Sequence, residues 1–371
     1  MVRFALMGAE ASLQTLVRKT QRPKAKRLES QCEPIVLMHG FAGFKNISMG
    51  EIQLFDYFNG VQRILTRTGY QVFAPEVSPF NTPLDRAHDW LHKIEQIRKQ
   101  TGAEKVHLVA HSQGGLDARV LIAPNDSAQD TPLGALMGLG YSPHVASLTT
   151  IATPHLGSVL VDRLDKARLE KRTILKGLVD FLSIAAWIYK GEAQDAYSAL
   201  AMISREYMTR YFNPIIRDVS TVPCFAIAGD PSGGKRVNPL MIDSYETLRT
   251  IQRKQGGGAN DGLVTVESAL FGNLPEAYEQ HSYSSSVDEH RAHWQVLGIV
   301  RADHVCQVGI PLQFPANPEF DHLAMFAGLA QFLDPGYQNE MRLEPDGRWS
   351  RKQKPRIPKA SRGIQQSAIP C

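Results

Sequence analysis

The sequence predicts an α/β fold in which a mostly parallel sheet is covered by helices on both faces. The chain has 371 residues, of which 43% are hydrophobic, and this is enough for one large core. From Pro34 onwards, short apolar runs alternate with helical stretches, which is the pattern of parallel strands joined by crossover helices. One of these runs leads directly into a serine-containing turn of small residues, and a helix follows that turn.

The predicted strands are short apolar runs bounded by loop residues, as expected for strands buried on both faces of a sheet. They are Ile35–Met38, Val72–Ala74, Val106–Ala110, Leu148–Ala152 and Phe225–Ala228. Helices are predicted at Trp90–Lys99, Leu116–Ile122 and Leu323–Phe332. We expect a basic, mobile leader at residues 1–33, one folded domain at 34–335 and a basic, disordered tail at 336–371.

The net charge of +4 comes from two basic runs, at residues 18–27 and 348–362, and the middle of the chain is mildly acidic. Nucleic-acid binding is therefore not indicated. The basic runs are interpreted as solvated tails, with attraction to an anionic membrane surface as the alternative. The four cysteines have no metal-ligand spacing and do not demand a disulfide framework; they are Cys32, Cys224, Cys306 and Cys371.

The sequence also bears on cellular location. No window reaches the roughly 20 apolar residues of a membrane span. The apolar stretch near the N-terminus is short for a signal peptide, and Glu10 interrupts it. We therefore expect a cytoplasmic protein, although an unconventional export route would leave no recognisable mark.

The candidate nucleophile lies in the segment Ala110-His111-Ser112-Gln113-Gly114, which follows the third predicted strand and opens a helix. This is the pattern of a nucleophile elbow, G-x-S-x-G, with alanine in the first position. The residues two before and two after the serine must be small because the turn is sharp. A helix N-terminus favours negative charge beside Ser112, and the backbone N–H of Gln113 would point toward a forming oxyanion. The elbow predicts the α/β-hydrolase fold.

A second donor to the oxyanion is expected from the loop after the first strand, His39-Gly40-Phe41-Ala42-Gly43. Gly40 would let the backbone approach the substrate closely, and Phe41 would donate its N–H while its ring lines an acyl pocket.

The acid and the base follow the serine in the chain order of this fold. Asp261, in Asn260-Asp261-Gly262-Leu263-Val264, is the predicted acid, and Asp230 after the fifth strand is the competing candidate. His304, in a loop before the last predicted helix, is the predicted base. The other histidines beyond the acid stay candidates of lower rank, and they are His281, His290, His293 and His322. His155 precedes the acid and is interpreted as structural.

Taken together, these motifs resemble the bacterial true lipases of the Pseudomonas and Burkholderia type. The resemblance covers roughly residues 34–333, and its matching segments include 34–41, 110–116, 150–158, 260–264 and 303–305. It implies that Ser112, Asp261 and His304 form a catalytic triad. It also implies that Phe41 and Gln113 supply the oxyanion N–H groups.

The chain departs from this family in three respects. Thr265, Val266 and Glu267 stand where the family has the disulfide partner that Cys224 would need, and no secretory signal is recognisable. The family also holds a structural calcium near the catalytic histidine. Asp243 stands close to the position of one carboxylate ligand, but Cys306 occupies the position of the other. A thiol is a poor ligand for a hard cation, so we predict an enzyme that works without calcium, with Asp243 a ligand only if a site survives.

A long insertion between the fourth and fifth strands, at about 159–214, is predicted to be a helical lid. Within it, residues 174–189 place apolar side chains on one broad helical face, while Lys176, Asp180 and Ser183 mark the other. A helix of this kind would cover the site in water and open at an oily interface, and the alternative is a plain core helix.

The predicted function is hydrolysis of the carboxylic ester bonds of lipids, of triacylglycerol type, by a serine ester hydrolase whose catalytic domain is residues 34–335. The expected substrate is a lipid or ester, met at an oil–water or membrane interface, and no cofactor is expected to be required. The first alternative is a carboxylesterase for short soluble esters or a polyester depolymerase with the same triad. The second, of another class, is a catalytically silent hydrolase fold used for binding.

Overall fold

The structure, a computed structural model, describes most of the chain between residues 32 and 351. The described residues are 32–41, 43, 46–49, 52–126, 128–162, 196–231, 237–253, 258–275, 294–310, 319–335 and 341–351. Among them, no helix combines the length and the apolar composition needed to cross a membrane.

The described strands, numbered along the chain, are β1 (Ile35–Met38), β2 (Asn46–Met49), β3 (Ile52–Asp56), β4 (Val72–Phe73), β5 (Val106–His111), β6 (Gln129–Thr131), β7 (Gly134–Leu136), β8 (Val145–Ile151), β9 (Cys224–Gly229), β10 (Trp294–Val300), β11 (Met341–Leu343) and β12 (Trp349–Arg351). Six of them form one sheet in the order β10-β9-β8-β5-β1-β4, and all its pairings are parallel. The other described strands pair as antiparallel two-stranded ribbons, β2 with β3, β6 with β7 and β11 with β12.

The described α-helices are α1 (Val61–Thr68), α2 (Pro83–Thr101), α3 (Gln113–Ile122), α4 (Ala196–Ala201), α5 (Arg205–Tyr207), α6 (Asn213–Ile215), α7 (Ile242–Arg253), α8 (Val266–Ala269) and α9 (His322–Leu333). A π-helical turn, Met208–Phe212, joins α5 to α6. Single 3₁₀ turns lie at Ser142–His144, Pro239–Met241 and Cys306–Val308.

Both faces of the sheet are buried, which explains the continuous apolar runs. In β1, Ile35 and Leu37 join the core cluster under α1 and α9, whereas Val36 and Met38 join the cluster under α2 and α3. Alternate residues of a strand point to opposite faces, so a strand covered on both sides is mainly apolar. The predicted fold class, a mostly parallel sheet between two helical layers, is confirmed.

Local signals fix the ends of the longest helix, α2. Thr82 caps its N-terminus, where the hydroxyl accepts a hydrogen bond from the N–H of Asp85, and Pro83 occupies the first helical position. Gly102 ends the helix with φ of 71°, a left-handed conformation that glycine adopts without strain.

The strand order places a crevice at the carboxyl ends of the neighbouring strands β1 and β5. From β1 the chain passes to β4 on one side, and then returns to β5 on the other side of β1. The loops that leave β1 and β5 at their carboxyl ends therefore start side by side and lead on to strands on opposite sides, and in parallel sheets ligands bind at such a reversal. The predicted nucleophile loop and oxyanion loop both begin at this reversal.

Strand β10 and the C-terminal hairpin are among the elements that the sequence analysis did not predict. Strand β10 pairs with β9 at the edge of the sheet, and its apolar pattern is interrupted by Gly298, next to a shift of register. The tail predicted from residue 336 also differs from the structure, because β11 and β12 form a hairpin on the domain. Trp349 stacks on Phe332 of α9 with ring centroids 5.4 Å apart, and its indole N–H donates to the carbonyl of Met325.

We predict that the hairpin stabilises the domain. Trp349→Ala removes a large aromatic contact with α9, so the melting temperature should fall by roughly 5 °C or more. Arg348→Ala, which removes an exposed ion pair with Asp346, is the neighbouring control and should change it little. Equal melting temperatures for the two variants would show that the hairpin does not contribute to the core.

Candidate active site

Ser112 occupies a strained turn between β5 and α3. Its φ of 56° and ψ of −129° lie in a region that L-residues rarely adopt. The N–H of Ser112 donates to the carbonyl of Ile151, and the hydroxyl of Thr153 donates to the carbonyl of Ser112, both at 2.9 Å. The ends of β5 and β8 thus hold the turn in place, as expected for an elbow that presents a nucleophile.

Close packing explains why small residues surround the serine. A Cβ on Gly114 would lie 2.6 Å from the carbonyl oxygen of Met38, and a Cβ on Gly40 would lie 2.7 Å from the Cβ of Ser112. Contacts this short are not tolerated, so the turn after β5 and the loop after β1 touch only because both carry glycine.

His304 and Asp261 are bonded to each other, as the sequence predicts. The Nδ1 of His304 lies 2.8 Å from Oδ2 of Asp261, and both side chains are buried. The other carboxylate oxygen of Asp261 accepts hydrogen bonds from the N–H groups of Leu263 and Val264. Because the carboxylate accepts, Nδ1 of His304 carries the proton, and Nε2 is left as the basic nitrogen.

Sequence reasoning missed one further partner of the acid. The side-chain amide of Gln307, which is fully buried, donates to Oδ2 of Asp261 at 3.2 Å. Gln307 lies in the turn that follows His304, and the only sequence signal for it is its position three residues after the predicted base.

The competing candidates lie elsewhere. Asp230 follows β9, where its N–H donates to the carbonyl of Val300. His322 opens α9, its Nε2 is 2.8 Å from the carbonyl oxygen of Asn59, and burial lowers its pKa. His155 stacks on Phe271 with ring centroids 4.9 Å apart, in agreement with a structural role. His281, His290 and His293 lie outside the described residues.

The two predicted oxyanion donors lie on the loops that meet at the strand reversal. Phe41 ends the short loop after β1, and Gln113 opens α3 directly after Ser112. Within the described part of the chain, the backbone N–H of neither residue donates to another protein group. Both N–H groups are therefore available to an incoming oxygen atom, which is what an oxyanion hole requires.

His39 fixes the peptide that carries the Phe41 N–H. Its Nε2 accepts from the N–H of Val77 at 3.1 Å, so the proton of the neutral ring is on Nδ1, which donates to the carbonyl of Gly40 at 3.0 Å. Burial, followed by the charge of Arg86, lowers the pKa of His39 to about 3 and keeps the ring neutral. Since the Gly40 carbonyl and the Phe41 N–H belong to one peptide, this bond sets the direction of the N–H.

A buried ion pair between α2 and α3 supports the loop after β1 through a hydrogen bond to His39. Arg86 of α2 donates to Asp117 of α3 at 2.8 Å and to the carbonyl of His39 at 2.6 Å. Both charged side chains are fully buried, and Trp90 also donates to Asp117. The pair therefore links the loop after β1, which leads to Phe41, to the helix that begins after Ser112.

Ser112 and His304 line one cavity whose other walls are largely apolar. The lining residues are Phe41, Tyr57, His111, Ser112, Pro154, Ser158, Leu160, Val161, Leu200, Ile203, Leu263, Val264, His304, Val305 and Ile310. Four of them, Leu160, Val161, Leu200 and Ile203, come from the two described ends of the insertion at about 159–214. The predicted lid helix at 174–189 lies outside the described residues, so its role stays a prediction.

The loop after His304 is held by protein groups at the place where the resemblance implies calcium. The carboxylate of Asp303 accepts hydrogen bonds from the N–H of Cys306 at 2.9 Å, from its thiol at 3.3 Å and from the N–H of Asn238 at 2.7 Å. Burial raises the pKa of the Cys306 thiol, which keeps it protonated. Asp243 is exposed on α7, and no cluster of three or more metal-ligating side chains occurs in the described ranges. A protonated thiol and a carboxylate that already accepts three hydrogen bonds do not fit a calcium site.

Comparisons with known proteins agree with this geometry. A family described as "Putative serine esterase (DUF676)" matches residues 58–173. A triacylglycerol lipase of Vibrio cholerae is 29% identical over 258 residues, which cover 65% of this chain and 75% of the relative. A triacylglycerol lipase of Pseudomonas fragi is 35% identical over 132 residues, which cover 35% of this chain and 38% of the relative. Among solved structures, lipase 1 from Pelosinus fermentans superposes with a TM-score of 0.57 at 20% identity, covering 83% of this chain and 99% of that one.

The structural likeness confirms the α/β-hydrolase fold. The sequence likeness confirms the predicted resemblance to bacterial triacylglycerol lipases and the predicted class, a serine ester hydrolase.

We predict that Gly40 is required for activity more than for stability. In Gly40→Ala the new methyl group would meet Ser112 and displace the oxyanion loop, so kcat for a soluble p-nitrophenyl ester should fall at least 100-fold, the cost of losing one oxyanion donor. Gly102→Ala, with open space around its Cβ and a φ of 71°, should reduce stability and leave kcat unchanged. A Gly40→Ala enzyme of normal kcat would contradict the packing argument.

Proposed function

We propose that this serine ester hydrolase cleaves the carboxylic ester bonds of lipids, of triacylglycerol type, through Ser112, His304 and Asp261. The observation that carries the proposal is the 2.8 Å bond between His304 and Asp261, beside an apolar cavity that Ser112 also lines. A base oriented by a buried acid and placed near a serine is the arrangement that activates a hydroxyl nucleophile.

In the proposed reaction, Nε2 of His304 takes the proton of the Ser112 hydroxyl while its oxygen attacks the ester carbonyl. Asp261 orients the ring and stabilises the imidazolium that forms. The imidazolium then protonates the departing alcohol, and an acyl group remains on Ser112. Water, deprotonated by His304, attacks this acyl-enzyme; the bond between the acyl group and the Ser112 oxygen breaks, the imidazolium returns its proton to that oxygen, and the fatty acid leaves.

The proposed oxyanion hole consists of the N–H groups of Phe41 and Gln113. Their availability within the described structure, and the fixed direction of the Phe41 peptide, support this assignment. A donor set before the reaction needs no reorganisation when negative charge develops on the carbonyl oxygen.

The apolar walls of the cavity and the names of the relatives favour lipid esters over charged or sugar-linked ones. A carboxylesterase for short soluble esters, or a polyester depolymerase, would use the same groups and is the second candidate. Hydrolysis of p-nitrophenyl esters over a range of acyl-chain lengths, with emulsified triglyceride alongside, distinguishes the two. Activity confined to short soluble esters would overturn the lipid assignment, and failure of a fluorophosphonate to label Ser112 would favour a catalytically silent binding protein.

The triad can be tested by comparing matched substitutions. Ser112→Ala should lower kcat by roughly 10⁴- to 10⁶-fold, and Asp261→Asn and His304→Ala by about 10⁴-fold each. Asp230→Asn and His322→Ala are the controls and should change kcat little, although His322→Ala removes a buried bond and should lower the melting temperature. If Asp230→Asn lowered kcat by this factor while Asp261→Asn stayed active, the catalytic acid would be Asp230.

We further propose that the enzyme works without calcium, because Asp303 already holds the His304 loop. Dialysis against a calcium chelator should leave both activity and melting temperature unchanged. Cys306→Asp restores the carboxylate that the resemblance implies, and adding calcium should then raise the melting temperature if Asp243 and neighbouring carbonyls can reach the ion. A large, reversible loss of activity on chelation of the unaltered enzyme would contradict the proposal and restore Asp243 as a ligand.

A further inference from the structure

A buried tyrosine connects three of the segments that carry the proposed catalytic groups. Tyr57 follows β3, and its hydroxyl oxygen lies 3.1 Å from the backbone N of Gly40 and 2.7 Å from Nδ1 of His111. The Nε2 of His111 lies 3.0 Å from the carbonyl oxygen of His304. One chain of hydrogen bonds therefore runs from the loop after β1, through the end of β5, to the loop that bears the base.

Elementary hydrogen-bond chemistry fixes the direction of every bond in this chain. The carbonyl of His304 can only accept, so Nε2 of His111 carries a proton. Burial, and then the neighbouring His304, lower the pKa of His111 well below its usual range, so the ring is neutral and its Nδ1 accepts. The hydroxyl of Tyr57 must then donate to Nδ1, and its lone pair accepts the N–H of Gly40.

The chain of hydrogen bonds ends on His304 itself, and its other backbone contacts lie one residue from a proposed catalytic group. Gly40 precedes Phe41, the proposed oxyanion donor, and His111 precedes Ser112. The ring of His111 also packs against the ring of His304, with centroids 4.6 Å apart. Removal of the Tyr57 hydroxyl would therefore change the hydrogen bonding of both the loop after β1 and the loop of His304.

We propose that Tyr57 is a positioning residue for the reaction, an inference that rests on the proposed function. Its hydroxyl holds the Gly40 N–H, which keeps the Phe41 N–H directed at the oxyanion. It also keeps His111 in the Nε2–H tautomer, which ties the His304 backbone to the nucleophile strand. The interactions that Tyr57 sets are needed most in the transition state, because negative charge then develops on the substrate oxygen and positive charge on His304.

Tyr57→Phe is the sharpest test because it removes the hydroxyl and keeps the ring. We expect kcat for p-nitrophenyl butyrate to fall roughly 10- to 100-fold, less than for loss of an oxyanion donor, since the donor is misdirected rather than removed. KM should stay within about twofold, because the ring still lines the cavity. The inhibition constant of an alkyl trifluoromethyl ketone, which forms an oxyanion on Ser112, should rise by the same factor as kcat/KM falls.

Tyr141→Phe is the matched control. Tyr141 is another buried tyrosine whose hydroxyl bonds to Glu95 and Arg98, and it does not line the cavity. Tyr141→Phe should lower the melting temperature about as much as Tyr57→Phe does, and kcat should stay unchanged. A Tyr57→Phe enzyme with unchanged kcat and unchanged ketone affinity would overturn the proposal, as would a loss of kcat that Tyr141→Phe reproduces.

Two further measurements separate this proposal from the proposed function. Ser112→Ala should abolish the activity against the same ester. If Ser112→Ala stayed active, the proposed function itself would be wrong. If Ser112→Ala were inactive and Tyr57→Phe fully active, only the role of Tyr57 would be overturned. Nitrogen-15 NMR of the imidazole of His111 should show the proton on Nε2 in the unaltered enzyme, and a proton on Nδ1 would contradict the assigned direction of the bonds.

Discussion

The contact between two backbone turns, one after β1 and one after β5, is the constraint on which the rest of the site depends. Gly40 lies against Ser112, and Gly114 lies against the carbonyl groups at the end of β1, at distances that leave no room for a side chain. The strain stored in the Ser112 backbone persists because hydrogen bonds to Ile151 and Thr153, at the end of β8, hold it. An oxyanion site between two turns exists only if the turns approach this closely.

Bringing backbone groups so near to one another buries polar atoms that need partners, and the fold supplies them from neighbouring elements. Arg86 satisfies the carbonyl of His39, and Tyr57 satisfies the N–H of Gly40. Asp303 does the same for the loop after His304. Arg86 and Tyr57 come from elements that do not carry the proposed catalytic groups, whereas Asp303 belongs to the loop of His304 itself, so buried hydrogen bonds from outside and inside the loops hold these groups.

The sequence predicted what depends on local patterns and missed what depends on tertiary contact. Five strands of the sheet are short, mainly apolar runs, and the groups proposed for catalysis stand in short motifs at strand ends, so both could be found by inspection. Strand β10 is interrupted by Gly298, and the C-terminal hairpin is too polar and too short to be recognised before Trp349 is seen against α9. Tyr57 and Gln307 belong to no motif, since their partners lie in distant segments.

The C-terminal hairpin has a consequence for the dynamics of the active site. Its turn accepts the N–H of Arg301, at the end of β10, and the N–H of Asp321, which caps α9. These two points bracket residues 302–320, the segment that contains His304. Opening of the hairpin would break both of these bonds at once, and this couples the local stability of the hairpin to that of the two ends of the segment. The last described segment of the chain is thereby bonded to both ends of the segment that bears His304, whereas His304 itself stays bonded to Asp261.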